Sequence, residues 1–196
     1  MSSRLTASSP PTVRSRFNVA ALLVTGRPGC GKTTLVRAVI EALEQPAAGF
    51  YTRETRDDRG RRTGFELVTL AGQAATLAGI GIQGPHRVGR YGVDLAALDG
   101  VGVPAIEAAV ASGAIVVIDE IGKMELLSSA FQRAVISAIH RHSLIFGAIM
   151  QAPHPFADEI KQQPDTLLFE LTEANRDEVR AGVETQLRAA LGQLSV

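Results

Sequence analysis

Apolar residues gather in short, nearly unbroken runs along this chain, and stretches with helical spacing separate them. Leu22, Leu23 and Val24 form the first run, AIVVI at Ala114 to Ile118 the second, and SLIFGAIM at Ser143 to Met150 the third; DTLLFEL at Asp165 to Leu171 adds a further strand. Runs without polar alternation are the pattern of parallel strands buried on both faces. Leu35, Val36, Val39, Ile40 and Leu43 recur at helical spacing, which predicts a helix from about Lys32 to Leu43, ended by Pro46. Gly102 to Ser112 predicts another, with Pro104 in its first turn and Gly113 closing it. A long amphipathic helix is expected from about Glu125 to Arg141, burying Leu127, Phe131, Ala134, Val135 and Ala138. A short helix opens at His154-Pro155. The last spans about Arg176 to Leu191, with Val179, Val183, Leu187 and Leu191 on one face.

The pattern changes between the first helix and the second apolar run. GFYTRET and RTGFELVTL, within Gly49 to Leu70, are β-rich and flank RDDRG, a turn signal, so they predict a hairpin. Gln73 to Gly84 is small and glycine-rich and reads as a short helical turn and loop. Tyr91 and Val93 alternate with Gly92 and Asp94, which suggests a short strand within His86 to Leu95. Strands alternating with helices predict an α/β fold: a mostly parallel sheet with helices on both faces and an antiparallel hairpin insertion. The expected division is a flexible tail over residues 1–17 and one domain over 18–196. The tail's Ser, Thr, Pro and Arg content fits a disordered start or a transit peptide.

Composition narrows the function classes. With 45% apolar and 20% charged residues, and 20 basic against 20 acidic side chains, nothing points to a nucleic-acid or membrane-surface partner. No apolar run approaches the ~20 residues of a membrane helix. The lone cysteine, Cys30, allows no internal disulfide and fits a reducing, cytoplasmic setting.

The chemistry centres on AALLVTGRPGCGKTT, Ala20 to Thr34. Gly26, Gly31, Lys32 and Thr33 satisfy the G-x-x-x-x-G-K-[ST] pattern of a phosphate-binding P-loop, in the strand–loop–helix context the motif needs. Glycines let the backbone approach the phosphates, and inward amides and the helix N-terminus bind them. Lys32 is expected on the β- and γ-phosphates and Thr33 on Mg²⁺. AIVVI ends in Asp119-Glu120, as a Walker B strand does. Asp119 is the candidate second metal ligand. Glu120 is the candidate base for an in-line water, which tilts the reading from transfer toward hydrolysis, as in P-loop hydrolases with an additional strand. Lys123 faces either the transferring phosphoryl group or water. Arg53, Arg56, Arg59, Arg61 and Arg62 make either a lid or a solvated hairpin tip; Arg87 and Arg90 face either phosphate or solvent. Asn175 with Glu178 has capping-box form, while Arg176 is equally placed to stack on a base. Cys30, inside the loop, is a candidate redox-sensitive position. His140, His142 and His154 lack the spacing of a zinc site.

GRPGCGKTT, GFYTRE, GFELVTL, RVGRYGVD, VVIDEIGKMEL, HPFADEIKQQPD and NRD together resemble the cancer-related nucleoside-triphosphatase family of small P-loop NTPases, from about Val19 to the last helix. The resemblance implies a RecA/AAA-like core and Mg²⁺-dependent hydrolysis of ATP, GTP, CTP and UTP to the diphosphate and phosphate. Under it, Gly26, Arg27, Pro28, Gly29, Cys30, Gly31, Lys32, Thr33 and Thr34 form the phosphate-binding loop. Val117, Ile118, Asp119, Glu120, Ile121, Gly122 and Lys123 form the second nucleotide-contacting segment. Arg27 and Cys30 depart from the residues usual there, and SLIFGAIMQA is less typical than its neighbours. A nucleotide or nucleoside kinase and a slow nucleotide-dependent switch are the competing readings, since a P-loop reports phosphate binding and not the acceptor. The sequence leaves the oligomeric state open.

Overall fold

The computed structural model describes residues 19–192, so the expected tail at 1–17 lies outside the described residues. The first apolar run forms β1 (Ala21–Thr25), and the glycine-rich loop leads into α1 (Lys32–Ala42). The hairpin is present as β2 (Ala47–Arg56) and β3 (Arg62–Thr69). The chain continues through β4 (Ala74–Gly79), β5 (Arg87–Val88) and β6 (Tyr91–Val93). Next come α2 (Leu95–Ala97), a π-helical turn (Leu98–Gly102) and α3 (Val103–Ser112). Then follow β7 (Ile115–Ile121), α4 (Ser129–His140), β8 (Ile145–Ile149), α5 (Pro155–Lys161), β9 (Thr166–Glu170) and α6 (Arg176–Gly192).

Among the described residues nine strands form one sheet, ordered β5-β6-β4-β3-β2-β7-β8-β1-β9. From β2 to β9 every neighbouring pair is parallel. From β2 to β5 every pair is antiparallel. β8 separates the P-loop strand β1 from the carboxylate strand β7, the additional strand expected of the hydrolase class. Alternate residues of β1 serve opposite faces. Leu22 and Val24 pack with Val36, Val39, Val183 and Leu187 of α1 and α6. Leu23 packs with Ile106, Phe131 and Val135 of α3 and α4. This double burial is why the strand runs carry no polar alternation.

Three expectations need correction. Gln73 to Gly84 is not helical: β4 pairs with β3 and buries Leu77 and Ala78 while Thr76 stays exposed. Its small residues give a faint pattern, and the open edge of the hairpin decides its state. The helix placed at Gly102 begins instead at Leu95, capped by the Asp94 side chain, which accepts from the Ala97 amide at 3.1 Å. Gly102 is there for packing rather than as a break, since a Cβ on it would lie 2.8 Å from Leu67 Cδ1. By length and apolarity Leu95–Ser112 reaches the membrane-spanning range, yet its Leu98, Ile106 and Ala109 are fully buried in the domain core. The helix expected from Glu125 is two pieces, a 3₁₀ turn (Glu125–Leu127) and α4. Ser128 sits between them in extended backbone, its hydroxyl accepting from the Phe131 amide at 3.0 Å. This N-cap geometry ends any continuous stripe, so Leu127, expected in the core, is 38% exposed.

Candidate active site

β1 delivers the chain to Gly26, whose φ of +151° leaves no room for a side chain: a Cβ would meet the Leu171 carbonyl oxygen at 2.4 Å. Gly31, at φ +107°, turns the loop into α1, and no side chain caps that terminus. The first-turn amides of α1 therefore remain available to an anion. Arg27, Pro28, Gly29 and Thr34 are exposed along the loop, and Cys30 is buried. Lys32 is 8% exposed and donates to the Gly26 carbonyl at 3.2 Å. A long cationic side chain folded back onto its own loop sits where a bound phosphate chain would recruit it.

β7 carries Val117, Ile118 and Ile121 into the core and runs through Asp119 and Glu120 rather than stopping before them. One carboxylate oxygen of Asp119, Oδ2, accepts from Thr33 Oγ1 at 3.1 Å, the Thr52 amide at 3.0 Å and Thr52 Oγ1 at 2.7 Å. The other, Oδ1, is buried without a partner among the described residues. Burial pushes the Asp119 carboxyl up, against these hydrogen bonds and the charge of Lys32. A buried carboxylate with an orphaned oxygen, beside a threonine hydroxyl, suits a hard cation that prefers oxygen ligands. Glu120 Oε1 lies 3.7 Å from Lys32 Nζ. Burial raises the Glu120 carboxyl above the usual glutamate range, Lys32 opposes this and Asp119 adds to it. Gly122 is packed against Glu120 and Glu125, since a Cβ there would lie 2.9 Å from Glu120 Cγ and 3.1 Å from Glu125 Oε2. Residues 86 positions apart thus share one hydrogen-bonded cluster.

Thr52, a member of the cluster, and Glu125, a buried neighbour of it, are not among the residues the sequence points to. Thr52 carries no signal there, because a threonine in a strand is ordinary. Glu125 stands in GKMELL, an acid among apolar residues, and that was a readable sign of burial. Its carboxyl is pushed up to about 8 by burial, with Glu120 and Asp119 adding to the effect.

Two cavities flank the loop. One of about 340 Å³ is bordered by Gly29, Gly31, Thr34, Arg176, Asp177 and Arg180. Arg176 Nε donates to the Cys30 carbonyl at 2.9 Å, laying the guanidinium beside Gly31. Asn175 forms no capping box: its Oδ1 accepts from the Thr172 amide at 2.7 Å and its Nδ2 donates to the Glu170 carbonyl at 3.0 Å. That turn holds Arg176 against the loop. The second cavity, about 670 Å³, reaches from Lys32 and Glu120 to Arg62 and Tyr91, with the exposed Lys123 on its border. Arg53, Arg56 and Arg61 pair with Glu66, Glu54 and Asp57, as a solvated hairpin does. Arg87 donates to the Arg90 carbonyl and Arg90 to that of Arg62, so both brace the insertion.

The profile of a family described as NTPase matches residues 21–183. The nucleoside-triphosphatase THEP1 of Thermotoga sp. (strain RQ2) is 40% identical over 172 residues, covering 88% of this chain and 98% of that protein. The crystal structure of THEP1 from the hyperthermophile Aquifex aeolicus superposes with a TM-score of 0.76 at 34% identity, over 83% of this chain and 96% of that one. The solution structure of a human cancer-related nucleoside triphosphatase gives 0.76 at 35% identity, over 87% and 98%.

Proposed function

Because this chain belongs to the nucleoside-triphosphatase family and is an NTP-hydrolysing enzyme, we propose that it works with Mg²⁺ held by Thr33 and Asp119, and that it tolerates any of the four common bases. The observation that carries the metal reading is Asp119 Oδ1, buried and without a partner among the described residues. Such an oxygen is costly to bury without a partner. When bound, the cation supplies positive charge to the β- and γ-phosphates.

The loop and first-turn amides of Gly29 and Gly31 to Thr34, with the Lys32 ammonium, hold the phosphates in place. Of the segment Val117 to Lys123, Glu120 and Lys123 border the larger cavity. Val117, Ile118 and Ile121, expected to contact the nucleotide, are instead buried in the core, because alternate residues of a doubly covered strand face the helices. Glu120, its carboxyl made more basic by burial, takes the proton of a water in line with the γ-phosphate. Lys32 releases Gly26 and Glu120 as the phosphates arrive, which frees Glu120 for the water. Base tolerance is supported by Arg176: a guanidinium plane stacks on any base and need not read base edges. The cavity beside it, at Gly29, Gly31 and Thr34, receives the nucleoside.

Phosphate release from ATP, GTP, CTP and UTP, with Mg²⁺ and with a chelator, tests the proposal. All four are expected to turn over within about tenfold of one another, since stacking is insensitive to base identity, and the chelator is expected to stop all four. Full activity in the chelator would refute the metal reading, and activity on one base alone would refute the tolerance.

A further inference from the structure

The 670 Å³ cavity is not explained by hydrolysis. It meets the loop at Gly26, Pro28 and Lys32, whereas the smaller cavity meets it at Gly29, Gly31 and Thr34. The two share no residue of the phosphate-binding loop. With the nucleoside at Arg176, the reading on which this inference rests, the larger cavity lies beyond the γ-phosphate. A water molecule needs a small fraction of it. Its outer wall is made by β3 to β6, the antiparallel insertion, none of which touches Asp119 among the described hydrogen bonds.

The walls have a definite chemistry. Phe65 and Tyr91 meet edge to face, with ring centroids 5.3 Å apart at 76°. Leu77, Val88, Met124 and Met150 extend the apolar surface. Two exposed cations border it. Arg62 lies over Phe65 with its Cζ 5.3 Å from the ring centroid, and its Nε donates to the Tyr91 hydroxyl at 3.2 Å. Its Nη1 pairs with Glu54, which leaves Nη2 without a partner among the described residues. Lys123, also exposed, adds a second cation. Lys32 lines the end nearest the loop, and the carboxylates of Glu120 and Glu125 also border the cavity, so an anionic group is directed away from them, to Arg62 and Lys123. A half-open, mainly apolar volume of several hundred cubic ångströms with a few polar groups is the form of a small-molecule site.

We infer that this cavity binds a second small molecule beside the γ-phosphate: an organic anion with a flat apolar body, its body against Phe65, Tyr91 and Met150 and its charge on Arg62. The position gives the insertion a purpose, because an occupant there covers the water that Glu120 would activate and so sets the hydrolysis rate.

The test uses the full chain with Mg²⁺ and a non-hydrolysable nucleotide, and 1-anilinonaphthalene-8-sulfonate, an aromatic anion, as a fluorescent probe. One saturable site is expected, unaffected by nucleotide. Arg62→Gln, at an exposed position, is expected to weaken it about tenfold, the size of one lost charge-assisted hydrogen bond. Val88→Trp, which fills the cavity from a partly exposed edge position, is expected to abolish probe binding and leave nucleotide affinity intact. Probe binding insensitive to both substitutions, or no saturable binding, would overturn the inference. Probe displaced by nucleotide would overturn the placement of the nucleoside at Arg176, a different failure. Loss of nucleotide binding in both variants would also overturn it, by making the cavity part of the nucleotide site.

Discussion

Asp119 makes one oxygen do the structural work and keeps the other free. Oδ2 collects all three hydrogen bonds from Thr33 and Thr52, and Oδ1 has none among the described residues. Asp119→Asn can keep the three bonds through its amide oxygen, so the fold is expected to survive. The Mg²⁺ midpoint for phosphate release is expected to rise by about tenfold or more, the scale on which metal-site contacts act; an unmoved midpoint would exclude Asp119 as a ligand. Glu125 supplies a separate prediction. Its carboxyl is raised from 4.5 to about 8 in the folded protein, so over that range the folded state holds a proton the unfolded state has released. The stability tied to this group is complete below 4.5 and is lost as pH rises to about 8. Glu125→Gln is therefore expected to gain on the parent protein between pH 5 and pH 8, measured by denaturant midpoints in chelator. A parallel pair of curves would show that Glu125 ionises freely in the folded state.

At the scale of elements, the decisive features are where helices begin. Ser128 both caps α4 through the Phe131 amide and hydrogen-bonds Asp99 of the π-helical turn. Ser128→Ala is expected to destabilise the fold by about 1–2 kcal/mol, the range of a lost N-cap, read from denaturant unfolding, with hydrolysis at low temperature unchanged. No loss of stability would mean α4 is held by packing alone. The same junction shows what was legible in the chain. Strands buried on both faces announced themselves, because Leu22–Val24 and Ile115–Ile118 have no polar residue to alternate with. The P-loop and Asp119-Glu120 were legible because their chemistry fixes residue type. β4 was not, since AATLAG has small side chains and takes its strand state from its β3 partner. Nor was the start of the helix at Leu95: the expected start, Gly102, lies inside the helical stretch and serves close packing on Leu67. Thr52 was hidden for a deeper reason: its role arises only when β2 is laid beside β7.

Across the whole molecule, the site is assembled from β1, α1, β2 and β7, with α6 closing one side and the antiparallel insertion the other. In the proposed mechanism hydrolysis and binding are carried by different parts of this assembly, Lys32 serving the phosphate cradle and Glu120 the chemistry. The direct measurement is phosphate release alongside nucleotide affinity for the parent protein, Glu120→Gln and Lys32→Ala. Glu120→Gln is expected to bind Mg²⁺-nucleotide as tightly as the parent and to turn over about 10²–10⁴-fold more slowly, the contribution of a general base. Lys32→Ala is expected to lose both. A Glu120→Gln variant that binds and hydrolyses at the parent rate would exclude Glu120 as the base.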